Sequence, residues 1–237
     1  MNKIAIIMCT WQRIERFEKT LNMLVNQKDK DFDFYVWNNN KDIVDTLEKL
    51  IVPYGQHLSI SIHHSEKNVG GFGRFLFANQ LEGYEYVIFI DDDQEFNSVM
   101  VENFRDKADK NALKSRWAFK TMNGKYNQRQ KINRNNIKCN YLGTGGMIAP
   151  LSLFNEVPEL FAEYETLPEE YKFIEDIYLC YIAQSYGGLD LLSIADTGFI
   201  KQIVDGKDQS DLPMMIKKIK FMTYLITERK WRFKPKK

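Results

Sequence analysis

Between residues 4 and 90 the chain alternates short apolar runs with segments of helical period, and no other feature narrows its possible folds so far. Ile4 to Met8 is uninterruptedly apolar, and Ile14, Phe17, Leu21, Leu24 and Val25 follow at the spacing of one helix face. Phe32 to Trp37 predicts a second strand. Ile43, Val44, Leu47, Leu50 and Ile51 predict a second helix, closed by Pro53 and Gly55. Leu58 to Ile62 reads as a third strand, NVGGFGRFLFANQLEG as a glycine-rich start to a third helix, and Tyr86 to Ile90 as a fourth strand. Such alternation predicts an α/β sandwich around a mainly parallel sheet, with ligands bound beyond the carboxyl ends of the strands.

The fourth strand ends in YVIFIDDDQEF, three adjacent carboxylates at a place where a ligand is expected. Like charges repel, so a positive partner is missing from the sequence. Asp91 and Asp93, at alternate positions, can share one hard divalent cation, Mg2+ or Mn2+, that keeps coordination sites for diphosphate oxygens. A solvated turn or a helix cap is the plainer alternative. GGFGR at 70 to 74 suits either phosphate binding at a helix start or a tight turn. IEDIYLC at 174 to 180 puts Glu175 and Asp176 in a first helical turn, where the macrodipole stabilises carboxylates whether or not they do chemistry.

At 237 residues the chain can bury a large core without staples. Its three cysteines lie far apart and outside any metal-binding spacing, which fits a reducing cytoplasm and predicts neither disulfide nor zinc. The N-terminal run reads as a strand because no cleavage-site pattern follows it. No apolar stretch approaches the ~20 residues of a bilayer span. A net charge of +1 argues against a general nucleic-acid binder. His57, His63 and His64 read as half-buried strand residues rather than a catalytic set.

The second half is less regular. Strands are expected near Trp117 and Phe119 and from Cys139 to Leu142, and between them TMNGKYNQRQKINRNNIK has the composition of a mobile loop. Phe173 to Tyr186 predicts a helix with Ile174, Ile177, Tyr178, Tyr181 and Ile182 inward. From Asp211 to Glu228 a further helix carries Leu212, Met215, Ile216, Ile219, Met222 and Ile226 on one face. Six of the last nine residues are Lys or Arg, interleaved with Trp231 and Phe233, a composition suited to an anionic membrane surface or to a frayed, solvated end.

Taken in order, these motifs resemble the family 2 glycosyltransferases. IAIIMCTWQRIERFEKTLNMLVNQ is similar to that family's first strand and helix, with Thr10, Trp11, Gln12 and Arg13 at its turn. YVWNNN stands where the family usually has an aspartate for base and ribose. NVGGFGRFLFANQ resembles its Asn-x-Gly helix start, YVIFIDDD its DxD strand, and GTGGMIAP with FIEDIYLCYIA its acceptor segment and Glu-Asp motif. The resemblance covers roughly residues 3 to 200. It departs at Asn38 and Asn39, which keep hydrogen bonding but remove a charge, and at Gln12 in place of Asn. A later metal-binding histidine is also missing, with Gln202, Asp205 or Ser210 as substitutes.

The resemblance implies a GT-A fold over residues 1–205, with 1–95 binding nucleotide-sugar and 96–205 the acceptor, followed by an amphipathic helix and basic tail over 206–237. It implies a metal-dependent, inverting transfer of sugar from a nucleotide diphosphate, first of all a UDP-sugar, to a hydroxyl of a glycan or lipid-linked glycan. Thr10, Trp11, Arg13, Asn38, Asn39, Asn68, Gly70, Gly71, Arg74, Asp91 and Asp92 would contact the donor, and Gly145 and Gly146 would let backbone approach the acceptor. Asp91 and Asp93 would hold Mn2+ or Mg2+. Asp176 is the expected general base, with Glu175 second. The working place would be the cytoplasm, with peripheral contact at the inner face of a membrane through the tail. A sugar nucleotidyltransferase is the rival enzyme class, although its GGxGxR signature follows a first strand, not a third. A non-catalytic nucleotide- or sugar-binding protein is the other alternative.

Overall fold

The computed structural model describes residues 3–203 and 212–234. Its first half follows the expected alternation: β1 (Ile4–Thr10), α1 (Ile14–Val25), β2 (Phe32–Asn38), α2 (Val44–Ile51), β3 (Ile60–His64), α3 (Gly73–Ala78) and β4 (Tyr86–Asp91). Then come β5 (Gln94–Phe96), α4 (Met100–Arg105), β6 (Ala112–Ser115), β7 (Ala118–Met122), β8 (Lys125–Lys131), β9 (Tyr141–Leu142) and β10 (Met147–Pro150). The remaining elements are α5 (Ser152–Asn155), α6 (Glu159–Glu165), α7 (Glu175–Ser185), β11 (Asp190–Ser193), β12 (Ile200–Gln202) and α8 (Leu212–Thr227).

The main sheet runs β3-β2-β1-β4-β10-β6-β11, and all neighbours are parallel except β10, which is antiparallel to both β4 and β6. β1 is apolar at consecutive positions because both its faces are covered. Ile4, Ile6 and Met8 pack with Phe17, Leu21 and Phe34 on one side, while Ala5 and Ile7 join Phe75 and Phe89 on the other. From β1 the chain moves outward through β2 and β3, then returns to place β4 on the opposite side of β1. The reversal leaves a crevice beyond the carboxyl ends of β1 and β4.

Three expectations change in the second half. The basic stretch expected as a loop is paired over its first part, from the end of β7 through β8 in a hairpin with Phe119 opposite Lys131, and is irregular from Ile132 to Lys138. Asn123 (φ 52°) and Gly124 (φ 72°) turn the chain in the left-handed conformations that a two-residue hairpin favours, and Tyr126 anchors β8 by burial. On α8 the inward residues are Phe221, Met222 and Leu225, whereas Met215 and Ile216 are exposed; Phe221 stacks on Tyr171 at 4.8 Å. The aromatic residues of the basic tail are spent on packing. Trp231 is 2% exposed, donates Nε1–H to Gln184 Oε1 at 2.9 Å and sits 4.4 Å from the Phe233 ring. Arg229 pairs with Glu163 at 2.8 Å, while Lys230, Arg232 and Lys234 are exposed. Among the described residues, no helix is long and apolar enough to cross a bilayer.

α7 is buried nearly all round, as an apolar helix in the middle of a core must be. Packing against β9 and α8, it brings its first turn to the crevice.

Candidate active site

A cleft of about 680 Å³ opens at the crevice, within the range of small-ligand sites. Thr10, Trp11 and Arg13 line it from the end of β1, and Asn68, Gly70 and Gly71 from the start of α3. Asp91, Asp92 and Asp93 line it from β4, Gly145 from the turn before β10, and Glu175 and Asp176 from α7. Asn39 and Arg74 complete the candidate residues found there.

Asn38 and Gly146 do not line the cleft. Asn38 is fully buried, and its amide is consumed by both backbone groups of Asn40 and by His64 Nδ1. Gly146 has φ +76°, a conformation that favours glycine, and a Cβ there would lie 3.2 Å from the Arg116 side chain. Asn39 uses its amide internally, accepting from Trp37 Nε1 and Val69 N and donating to Gly70 O, which fixes the loop leading to α3.

The aspartates at the strand end do have positive partners, but from arginines. Arg74, 4% exposed, bonds Asp91 Oδ1 through Nη2 at 2.8 Å, and Arg13 bonds Asp92 Oδ1 at 3.0 Å. Asp93 accepts from Gln202 Nε2 at 2.9 Å through Oδ2 alone. Burial, and next the charge of Asp91, push the Asp93 carboxyl up to about 6. Burial also raises Asp92 and Glu175 above the usual carboxylate range, and for Glu175 the neighbouring Asp176 adds to it.

Buried polar atoms without partners are uncommon and call for an explanation. Of eight such side-chain atoms among the described residues, three, Thr10 Oγ1, Arg74 Nη1 and Asp93 Oδ1, belong to residues lining this cleft. An unsatisfied carboxylate oxygen beside Asp91 fits a hard cation, with Asp91 and Asp93 as its holders. No group of three or more His, Cys, Asp or Glu converges among the described residues; two carboxylates are an ordinary protein contribution for Mg2+ or Mn2+ that also meets phosphate oxygens. Of the suggested substitutes for a third ligand, Gln202 hydrogen-bonds Asp93, and Asp205 and Ser210 lie outside the described residues.

The two carboxylates of α7 face different neighbours. Glu175 accepts from Thr144 Oγ1 at 3.2 Å and lies so close to Gly71 that a Cβ there would fall 2.3 Å from its carboxyl carbon. Asp176 accepts from Tyr141 O–H and from Lys218 Nζ at 2.6 Å through Oδ2, and from Ile177 N through Oδ1. Lys218, held by Asp176 well above the usual lysine range despite its burial, comes from α8. Sequence reasoning missed Lys218, Tyr141 and the wall formed by Trp117, Phe119, Tyr126 and Arg129. The signal for the wall was Asn-Gly between two strand-like runs; nothing local separates Lys218 from Lys217 or Lys220.

Gly145 tests the construction directly. A methyl group there would lie 1.9 Å from Asp91 Oδ2 and 2.7 Å from Gln94 Nε2. Gly145→Ala is therefore expected to displace Asp91 from Arg74, lowering stability by about 1–3 kcal/mol and ligand affinity at least tenfold. Denaturant unfolding and UDP titration measure the two effects.

A sheet reversing between β1 and β4, with an acidic strand end in the crevice and a second carboxylate pair on a buried helix, is the arrangement of a GT-A fold. The chain belongs to glycosyl transferase family 2, whose model matches residues 5–158. The structure of S. aureus TarS 1-349 in complex with UDP superposes with a TM-score of 0.62 at 19% identity, covering 95% of this chain and 66% of that one. A second structure of S. aureus TarS gives 0.61 at 18% identity, with 95% of this chain matching 40% of that one. GalNAc-T7 with UDP, GalNAc and Mn2+ gives 0.61 at 10% identity, with 95% and 48% covered. The chain thus spans two thirds or less of these proteins. No curated protein sequence matches it.

Proposed function

We propose that the protein transfers a hexosyl group from a nucleotide diphosphate donor, first of all a UDP-sugar, to a hydroxyl of a glycan or lipid-linked glycan, inverting the anomeric carbon. The observation that carries this reading is that three unpartnered buried polar atoms, Thr10 Oγ1, Arg74 Nη1 and Asp93 Oδ1, belong to residues lining one cleft that Glu175 and Asp176 also line. Thr10 and Arg74 are suited to donor oxygens. The uridine diphosphate complexes of TarS and GalNAc-T7 support the choice of nucleotide.

In this mechanism Arg13 and Arg74 hold the strand-end carboxylates in fixed positions and Glu175 shapes the donor side against Gly71. Asp176 takes the proton of the acceptor hydroxyl; its oxygen forms the new bond to the anomeric carbon as the bond to the diphosphate breaks. A divalent cation on Asp91 and Asp93, when bound, supplies charge neutralisation for the departing diphosphate. The proposal sets the reaction in the cytoplasm, at the inner face of a membrane when the acceptor is lipid-linked. There only the exposed Lys230, Arg232 and Lys234 of the described tail are free to meet anionic headgroups.

Asp93→Asn separates the cation from the fold. Because the folded protein holds the Asp93 proton more tightly than the unfolded chain does, stability falls as pH rises from the ordinary aspartate range to about 6, then levels. In the cation-free protein at neutral pH, Asp93→Asn is expected to raise the melting temperature while abolishing the Mn2+-dependent stabilisation by UDP. Thermal shift with and without Mn2+ reads both. Undiminished Mn2+-dependent UDP binding by the variant would remove Asp93 from the cation site.

A further inference from the structure

Charge is spread very unevenly along this nearly neutral chain. Between Asp109 and Glu156 it has nine Lys or Arg and no Asp or Glu. The segment includes β7 and β8, which form the cleft wall next to Asp176. Several of its cations are neutralised by carboxylates from elsewhere: Arg116 and Lys131 pair with Asp196, and Lys138 pairs with Asp190. Within the cleft, Arg13, Arg74 and Lys218 each hold a carboxylate. Arg129 also lines the cleft but has no carboxylate partner among the described residues.

Arg129 is nevertheless held in place. Its guanidinium lies 4.0 Å from the centre of the Tyr126 ring and 5.3 Å from that of Phe119, and Nη1 donates to Tyr126 O at 3.0 Å. Stacking fixes a guanidinium plane and leaves its edge for bonding. The other N–H groups of Arg129 have no protein acceptor among the described residues. Tyr126 packs edge-on to Tyr141, whose hydroxyl bonds Asp176, and lies 5.9 Å from Lys218 Nζ. The chain of contacts from the base candidate to Arg129 is thus two aromatic rings long. On this side of the cleft the positive charge exceeds what Asp176 balances, whereas the strand-end side holds three aspartates.

We propose that Arg129 is the anion contact of the acceptor subsite, and that the acceptor carries an oxyanion, phosphate or carboxylate, close to the hydroxyl that is glycosylated. This rests on the transferase reading above and adds the acceptor's chemical class. Phosphate and carboxylate share the flat, two-oxygen edge that a guanidinium fork accepts.

The test is calorimetric titration of the full chain, with UDP and Mn2+ present, by three probes of similar size. They are a short glycerol phosphate oligomer, a disaccharide ending in glucuronic acid, and a neutral disaccharide. An anionic probe is expected to bind about tenfold or more tightly than the neutral one, with an affinity that falls with salt, and the stronger anionic probe identifies phosphate or carboxylate. Arg129→Gln should remove that advantage. Arg129→Lys, which keeps charge without the fork, should restore only part of it, and Lys125→Gln, on the exposed part of the same strand outside the cleft, should keep all of it. Equal affinity for the three probes, or equal losses in Lys125→Gln and Arg129→Gln, would overturn the assignment while leaving the transferase reading intact. Absence of UDP binding by the wild-type chain would overturn both.

Discussion

Asp176→Asn is expected to bind UDP and its sugar conjugate as the wild type does, yet to transfer roughly 10²–10⁴-fold more slowly, the range of a lost general base. The geometry favours Asp176 over Glu175 because the two carboxylates divide the cleft. Glu175 is engaged with Thr144 and crowds Gly71 on the donor side, whereas Asp176 sits among Tyr141, Tyr126 and Lys218 on the other. An amide at 176 keeps size and most hydrogen bonds but takes no proton. Glu175→Gln should affect donor affinity more than the chemical step. Single-turnover transfer combined with UDP calorimetry decides the matter: a slow step in Glu175→Gln with a normal one in Asp176→Asn would exchange the two roles.

Lys218→Met carries the second large effect. It would leave the Asp176 carboxylate, 10% exposed as a side chain, with Tyr141 and a backbone N–H but no cation. Removing one member of a buried pair typically costs about 3–5 kcal/mol; with 22% of the Lys218 side chain exposed, solvent screening reduces the expectation to about 2 kcal/mol. The sign follows from the raised lysine. Its contribution is complete at neutral pH and is lost only as pH rises through its elevated folded value. The destabilisation of Lys218→Met should therefore be present at pH 7 and vanish only in strong base. In Asp176→Asn/Lys218→Met the loss should be smaller than the sum of the single losses, as for any directly interacting pair. Additive losses would show that the contact carries no energy.

What the sequence made legible follows from how local each cause is. β1, β2 and β4 could be read because strands covered on both faces must be apolar at successive positions, and Asp91 to Asp93 drew attention because charge at the end of such a strand is costly without a partner. The partner was read as a cation alone, whereas Arg13 and Arg74, 79 and 17 residues away, already meet two of the three carboxylates. β3 begins two residues later than its apolar run suggested, since an edge strand pairs on one side only. The hairpin was hidden by polar composition, although Asn123–Gly124 announced the turn. Asn38 and Asn39 look alike in YVWNNN, but Asn38 ends β2 buried in its hydrogen bonds, whereas Asn39 follows the strand and lines the cleft. Lys218 was beyond reach, because a helix rotated by one residue would have presented Lys217 instead.

The pairing of Lys218 with Asp176 joins residues 42 positions apart in the chain. During synthesis the carboxylate therefore leaves the ribosome before its counter-charge, and at that stage the first turn of α7 lacks its contact with α8. The reaction centre should mature only after α8 has been made, so nascent chains arrested before residue 218 would be protease-sensitive around α7 even where the β1–β4 half is already resistant.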